Sequence, residues 1–228
     1  MSDFQCIAKI QNDFKTKFGL PRQSGMAEHL ISKIVMEKPF RVPDAFRGIE
    51  EFERLWLIWE FHTAKKEGEW SPTVRPPRLG GNERVGVFAT RSPYRPNSVG
   101  LTCVKLEKYY IDKNDGPVLI VSGADLQDGT PIFDIKPYLP YADSYPDAAA
   151  GFTDRRQKKT LSVVYGAPVP AGMSDPQRKA LDEALKNDPR PAYQSDPDRV
   201  YGMRYGSWDV RFRVSGETLT VISFEPEP

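Results

Sequence analysis

The sequence has few of the residues from which metal sites are built. Its 228 residues include two cysteines, Cys6 and Cys103, and two histidines, His29 and His62. These four positions are scattered and do not have the paired spacing of a zinc site. Both cysteines lie in apolar runs, which is typical of small buried hydrophobic residues. The sequence therefore predicts a protein without a bound metal.

Long apolar segments are also missing. No apolar run approaches the ~18 residues that a transmembrane helix needs, and the opening MSDFQCIAKI lacks the apolar stretch of a signal peptide. The composition is that of a soluble protein, with 39% hydrophobic residues, 28% charged residues and a net charge of +1. We therefore expect a cytoplasmic protein with no membrane partner. The near-neutral charge argues against non-specific coating of nucleic acid but allows a local basic patch.

Two common catalytic signatures are missing as well. There is no GxGxxG motif, and the stretch GGNERVG (80–86) lacks the Lys-Ser/Thr pair of a phosphate-binding P-loop. A GxSxG elbow is also missing. A doubly wound nucleotide-binding domain and a Ser/His/Asp hydrolase are therefore both disfavoured.

The most distinctive segment that is present is an arginine-rich stretch, residues 75–100. It has four prolines, four glycines, no lysine and one acidic residue, Glu83. Its five arginines are Arg75, Arg78, Arg84, Arg91 and Arg95. Arginine offers a planar fork of donors that suits phosphate or carboxylate, and proline and glycine give loops a defined shape. The segment predicts an anion-binding site, with a solvated basic loop as the alternative.

The first two-thirds of the chain have the pattern of short strands with little helix. Asp44 can cap one short helix over Asp44–Phe52. The run LWLIWEF (55–61) is apolar almost throughout, which predicts a strand buried on both faces. The predicted strands are Phe4–Ile10, Leu30–Met36, Leu55–Phe61, Arg84–Phe88, Gly100–Tyr110 and Pro117–Gly123. Many short strands with few helices predict a barrel or a sandwich.

The pattern changes after about Tyr141. Residues 141–160 are polar and alanine-rich and predict a linker or arm. The segment Ser174–Asn187 predicts a helix, because Ser174 and Gln177 form a capping box before an apolar stripe. Alternating residues in 208–214 and a Ser-Gly turn predict a terminal hairpin. We predict a first domain over 1–145, a linker over 146–160 and a small α+β unit over 161–228.

Three further features have both a functional and a structural interpretation. His62 ends the most apolar strand, where it is either a catalytic group or a satisfied structural one. The Asp128-Gly129 turn directs Thr130 and backbone groups toward one spot. Asp134 and Lys136 alternate with apolar residues and so share one face of a strand, either as site residues or as an exposed ion pair.

Several of these motifs together resemble the TsaA-like family of β-barrel methyltransferases. They are PRQSG (21–25), LWLIWEFH (55–62), the PTVRPPRLGGN to SVGL block (72–101) and DLQDGTPIFDIKPYLPYADS (125–144). The tail from DPRPAYQ to WDVRFRV (188–214) resembles the C-terminal domain of a bacterial member of that family. The resemblance extends over nearly the whole chain.

The resemblance implies a mainly β fold, namely a small antiparallel, non-Rossmann barrel followed by a small α+β C-terminal domain. It implies S-adenosylmethionine as methyl donor and a homodimer. The implied reaction is N6-methylation of threonylcarbamoyl-adenosine at position 37 in the anticodon loop of tRNA, with threonine tRNA as the expected substrate. A same-family enzyme with another acceptor, or a non-catalytic RNA-binding barrel, are the alternatives.

Position by position, the resemblance also implies a set of methyl-donor contacts. These are Pro21, Arg22, Gln23, His62, Thr63, Arg91, Leu101, Asp128, Gly129, Thr130 and Pro131. Either Arg91 or Arg22 can hold the donor's carboxylate through two hydrogen bonds. Asp128 suits either the sulfonium or the ribose hydroxyls.

The remaining site residues are assigned to catalysis or to tRNA. We expect Asp134 to accept the proton from N6, with Tyr138 as second candidate, and Asn97 to hydrogen-bond the urea group. Single-stranded RNA loops are bound by stacking on bases and by cations on phosphates. The residues expected to contact tRNA are Arg75, Arg78, Arg84, Tyr94, Arg95, Lys136, Arg211 and Arg213.

Overall fold

The computed structural model describes most of the chain. The described residues are 4–21, 23–26, 28–64, 70–76, 83–155, 160–190, 194 and 196–226. Two residues of the predicted site, Arg22 and Arg78, lie outside them.

The secondary structure of the described residues is mainly β-strand. The strands are β1 (Ala8–Gln11), β2 (Ile31–Met36), β3 (Arg54–Glu60), β4 (Thr73–Val74), β5 (Val85–Gly86), β6 (Val99–Asp112), β7 (Gly116–Ser122), β8 (Pro131–Pro137), β9 (Ser162–Tyr165), β10 (Tyr201–Tyr205), β11 (Trp208–Ser215) and β12 (Thr218–Pro226). The α-helices are α1 (Pro140–Asp143) and α2 (Asp175–Lys186), and 3₁₀ turns span Lys38–Phe40, Pro43–Phe46, Ile49–Glu51, Val87–Ala89 and Gly151–Arg155. Among these residues no helix is both long and apolar enough to cross a membrane.

Six strands close into a barrel in the order β1-β2-β7-β6-β3-β8. Every neighbouring pair is antiparallel. Alternate side chains point inward along each strand, so that Ile34, Leu57, Leu119 and Ile132 are fully buried in one core. The predicted mainly β fold with a small antiparallel barrel is confirmed.

The C-terminal unit is a four-stranded sheet covered by α2. Its strand order is β10-β11-β12-β9, with β9 parallel to β12. Helix α2 begins at the predicted capping box, where the Gln177 amide nitrogen donates to Ser174 Oγ and the Ser174 amide nitrogen donates to Gln177 Oε1 at 3.0 Å. Leu181 and Leu185 of α2 pack on Phe212 and Leu219 of the sheet. The predicted helix, hairpin and α+β unit are confirmed.

The segment between β1 and β2, residues 12–30, lies against the C-terminal unit. Phe14 and Leu30 are fully buried in the same core as Tyr205, and the rings of Phe14 and Tyr205 meet edge to face at 5.1 Å. The second core is therefore built from both ends of the chain. The domain division proposed above stays a prediction.

Three local predictions from the sequence were wrong: one helix, the length of one strand and the burial of another strand. The predicted helix Asp44–Phe52 is wrong: the segment forms two 3₁₀ turns, because Gly48 between them has a left-handed φ of 85°. The predicted strand Arg84–Phe88 shortens to Val85–Gly86 before a 3₁₀ turn. Strand β3 alternates between buried and half-buried residues and is not buried on both faces.

Candidate active site

A large open groove of about 2470 Å³ runs between the barrel and the C-terminal unit. Its lining includes 17–21 and Gln23, 88–101, and Ala184 with 187–190. The β1–β2 segment, the arginine-rich segment and the end of α2 therefore meet at one place.

Arg91 connects two of the predicted donor-binding segments across this groove. Its Nη1 donates a hydrogen bond to Gln23 Oε1 at 2.8 Å. Arg91 is exposed in the groove, and a guanidinium has five N–H donors. It can therefore bind an anion while it holds Gln23 in place.

Asp125, the first residue of the 125–144 motif, lines the groove, and the sequence predicted no role for it. Thr102 Oγ1 donates to Asp125 Oδ1 at 2.6 Å, and Trp59 Nε1 donates to Thr102 Oγ1 at 2.9 Å. Burial raises the pKa of Asp125, while the Thr102 hydrogen bond, the Ser24 amide and the Arg91 charge oppose that rise. The groove thus contains a partly buried carboxylate beside an exposed guanidinium.

The raised pKa of Asp125 predicts a stability change for Asp125→Asn. A folded-state pKa above the unfolded one favours the protonated form, so the stability it provides is complete at low pH and lost as pH rises through the folded pKa. The variant should unfold at a higher temperature than wild type at neutral pH, and the difference should shrink as the pH falls through the raised folded-state pKa and vanish below pH 3.8, the ordinary pKa of the group. Thermal unfolding across a pH series measures this, and a difference that does not change with pH would contradict it.

Many of the predicted site residues line the groove together. Those predicted to bind the donor are Pro21, Gln23, Arg91 and Leu101, and those predicted to contact the acceptor or tRNA are Arg75, Arg84, Tyr94, Arg95 and Asn97. Leu101 and Tyr94 are unusually exposed for their type, at 57% and 41%. The lining is therefore both basic and apolar.

A second group of predicted donor contacts lies outside the lining. Thr63 Oγ1 donates to Gln127 Oε1 at 3.3 Å, which makes the His62-Thr63 pair a neighbour of the Asp128–Pro131 turn. Asp128 accepts from the Asn12 amide at 2.9 Å and pairs with Lys15 at 2.9 Å. Its carboxylate is therefore engaged within the protein, and the donor-binding roles of these residues stay predictions.

Asp134, Lys136 and Tyr138 do not line the groove. Lys136 Nζ lies 3.1 Å from Asp134 Oδ2, so the two residues share a face of β8 as an exposed ion pair. In the C-terminal unit Arg211 pairs with Asp209 at 2.7 Å and Arg213 is exposed on the same strand. The structure does not bring these residues to Arg91, and their catalytic and tRNA-binding roles stay predictions.

The wall contributed by the C-terminal unit was also not predicted. Asn187, Asp188 and Arg190 line the groove, and Arg190 binds Asp188 through two hydrogen bonds of 2.9 Å. Asp188 has a left-handed φ of 51°, which non-glycine residues seldom adopt. The first three residues of the DPRPAYQ motif, Asp188 to Arg190, therefore belong to this wall.

The aromatic side chains of the groove lie beside its cations. The rings of Trp70 and Phe88 meet at 5.8 Å, and the Arg95 guanidinium lies 5.9 Å from the centre of the Phe88 ring. Lys17 lies 5.8 Å from the Tyr94 ring. Alternating cations and exposed rings are typical of single-stranded nucleic-acid binding. Within the part of the chain that is described, no group of three or more His, Cys, Asp or Glu side chains could hold a metal.

The fold and the groove define a class: a small antiparallel barrel, distinct from doubly wound nucleotide-binding proteins, with a basic, aromatic-lined binding groove. Two family models match the chain, the tRNA-methyltransferase O N-terminal domain over residues 9–144 and the TrmO C-terminal domain over residues 159–227. The chain belongs to the tRNA-methyltransferase O family, and the resemblance seen in its motifs is confirmed.

Individual relatives agree with this membership. The chain is 45% identical over 171 residues to the Escherichia coli tRNA (adenine(37)-N6)-methyltransferase, covering 74% of this chain and 72% of the relative. It is 46% identical over 148 residues to a putative S-adenosylmethionine-dependent methyltransferase, RcsF, of Pseudomonas aeruginosa, covering 65% of this chain and 59% of the relative. The crystal structure of TrmO from Pseudomonas aeruginosa superposes with a TM-score of 0.79 at 29% identity, covering 98% of each chain.

Proposed function

We propose that this protein transfers a methyl group from S-adenosylmethionine to N6 of adenosine 37 in tRNA. The observation that carries the proposal is the groove, where predicted donor residues (Gln23, Arg91) lie on the same lining as predicted tRNA residues (Tyr94, Arg95). The functions for which the relatives are named support the same reaction. The finer features are part of the proposal: a threonylcarbamoyl group on the acceptor, threonine tRNA as substrate, a homodimer and a cytoplasmic location.

The residues of the groove fit the methyl donor chemically. The donor's methionine end carries a carboxylate and an ammonium group, and its sulfonium adds a second positive charge. Arg91, which is bonded to Gln23, would bind the carboxylate, and the nearby carboxylate of Asp125 would attract the two positive charges. Leu101, more than half exposed in the groove, offers an apolar surface for the adenine. When bound, the donor supplies the methyl group as a sulfonium substituent.

The contribution of the chain to the reaction would be to orient the acceptor and to manage its proton. N6 of the modified adenosine belongs to a urea-like linkage, so its lone pair is delocalised and the nitrogen still carries a proton. Asn97 in the groove would hydrogen-bond the urea, and Tyr94 would stack on a base. Holding the acceptor in line with the donor methyl would provide much of the rate enhancement.

The proton acceptor is tested by Asp134→Asn. If Asp134 accepts the proton, the variant should methylate tRNA at least ~100-fold more slowly while binding the donor normally. Lys136→Met, assayed at saturating tRNA because Lys136 is itself expected to contact tRNA, is the matched control, since it removes the 3.1 Å ion pair and keeps the carboxylate. Single-turnover methylation rates separate the two. A normal rate in Asp134→Asn would exclude the general-base role of this residue.

Binding of tRNA phosphates is tested by Arg95→Ala. We expect weaker tRNA binding and a slope of log affinity against log salt that is smaller by about one, since one phosphate contact is lost. Arg47→Ala is the control: Arg47 is 81% exposed, pairs with Asp44 and does not line the groove. Filter binding across a salt series measures both. Equal slopes in wild type and Arg95→Ala would contradict a phosphate contact.

Donor binding separates this function from that of a non-catalytic RNA-binding barrel. A ligand that binds only the folded state raises the unfolding temperature, so S-adenosylmethionine should stabilise the wild-type protein in a concentration-dependent way. A barrel that binds only RNA would show no shift with the donor and a clear shift with tRNA. A same-family enzyme with another acceptor would show the donor shift and would transfer no methyl group to tRNA.

A further inference from the structure

The turn over residues 23–26 of the β1–β2 segment is held from one side by the C-terminal unit. The neighbouring Leu20 packs against the core of that unit, and a Cβ on Gly19 would fall 1.8 Å from Met203 Sδ, so the backbone there touches β10. On the far side of the turn, Asn187 Nδ2 donates to the Met26 carbonyl at 2.9 Å. Both ends of the turn are therefore fixed to the C-terminal unit.

Contacts farther along the segment strengthen the same attachment. Glu183 of α2 accepts from the His29 amide nitrogen at 3.0 Å, and its other oxygen lies 2.6 Å from His29 Nδ1. The ring of Phe18 stacks on Phe212 of β11 at 6.4 Å. Helix α2 and the C-terminal sheet thus hold the segment on both sides of the turn.

The other side of the turn faces the barrel through the groove residues. Gln23 Oε1 accepts from Arg91, and the Gly25 amide donates to the Gly123 carbonyl at 3.3 Å. Ser24 contributes its amide to Asp125. The turn therefore lies between two units, bonded to the barrel through Gln23, Ser24 and Gly25 and to the C-terminal unit through Met26.

We propose that the C-terminal unit is a structural part of the methyl-donor site, with Asn187 and Glu183 as positioning residues for the 23–26 turn. The inference rests on the proposed function and adds a role for the C-terminal unit in donor binding. A binding loop that is ordered before the ligand arrives avoids part of the entropy cost of ordering it on binding. Loss of either attachment allows the turn to sample positions away from Arg91, so donor affinity falls even though no group on the barrel has changed.

The test uses the full-length protein and three single variants. Asn187→Ala removes the hydrogen bond to Met26, and Glu183→Ala removes those to His29 from a position outside the groove lining. Lys186→Ala is the matched control, an exposed residue of the same helix turn that does not line the groove. Calorimetric titration with S-adenosylmethionine should show affinity reduced about five- to tenfold in Asn187→Ala and Glu183→Ala, and unchanged in Lys186→Ala.

A kinetic comparison distinguishes positioning from general loss of structure. The KM for the donor should rise by the same factor in both variants, while kcat at saturating donor and the KM for tRNA stay within about twofold of wild type. Normal donor affinity in both variants would overturn the inference and leave the proposed function intact. A loss confined to Asn187→Ala would also overturn it, because Asn187 lines the groove and would then act by direct contact. Failure of the wild-type protein to bind the donor would overturn the proposed function itself.

Discussion

Replacing Arg91 with methionine is expected to lower the affinity for S-adenosylmethionine about a hundredfold. The variant loses the proposed bond to the donor's carboxylate, and truncating one partner of a hydrogen-bonded charge pair costs ~2–5 kcal/mol. It also loses the 2.8 Å bond that holds Gln23. Calorimetric titration of the donor into the purified variant measures the change.

Arg95→Ala provides the contrast for this prediction. Both arginines line the same groove, yet Arg95 Nη1 donates to the Thr90 carbonyl at 3.3 Å and its guanidinium lies near the Phe88 ring. We therefore expect Arg95→Ala to retain donor affinity and to lose tRNA affinity. Equal effects of the two substitutions in both assays would show that the arginines form one undivided anion patch.

Gly100→Ala is expected to be the most destabilising small substitution in the barrel. A Cβ there would lie 2.3 Å from Trp59 Cε2 and 2.5 Å from Cζ2. Trp59 is only 6% exposed and its Nε1 is bonded to Thr102, so the ring cannot move aside without losing that bond. Overpacking of this kind costs ~1–3 kcal/mol of folding free energy, which equilibrium denaturation by urea measures.

Gly86→Ala, in the two-stranded β4–β5 sheet outside the barrel, is the control for Gly100→Ala. Gly86 has a φ of −57°, and a Cβ there would meet nothing within 4 Å. Its free energy of unfolding should stay within about 0.5 kcal/mol of wild type. Because displacement of Trp59 also disturbs Thr102 and hence Asp125, Gly100→Ala should weaken donor binding as well. A stable Gly100→Ala variant with normal donor affinity would contradict this description of the barrel interior.

The sequence was most informative where local chemistry determines structure. Helix α2 was predicted from the Ser174–Gln177 capping box and its apolar stripe, and the terminal hairpin from strict alternation. The many short strands predicted a barrel or a sandwich, and only the resemblance to the TsaA-like family implied the barrel. The helix predicted over Asp44–Phe52 failed because a left-handed Gly48 divides the segment, an outcome that depends on the tertiary position of one residue.

The candidate site was also predicted only in part from the sequence. Gln23, Arg91 and Leu101 belong to motifs that can be recognised along the chain, and the structure brings them to one groove. The role of Asp125 was not predicted because the residues that hold it come from other strands. Thr102 of β6 donates to Asp125 and Trp59 of β3 donates to Thr102, and only closure of the barrel brings the three residues together. The attachment of the β1–β2 segment to the C-terminal unit was missed for the same reason, since periodicity within a segment carries no information about its distant partner.

The central claim is methyl transfer to the modified adenosine at position 37 of tRNA. Mass spectrometry of nucleosides tests it directly after incubation of the protein and S-adenosylmethionine with threonine tRNA, prepared with and without the threonylcarbamoyl group. We predict that the tRNA with the group yields N6-methylated threonylcarbamoyl-adenosine and that the tRNA without it yields no methylated adenosine. No methylated nucleoside from either tRNA, or methylation at another position, would contradict the proposed function.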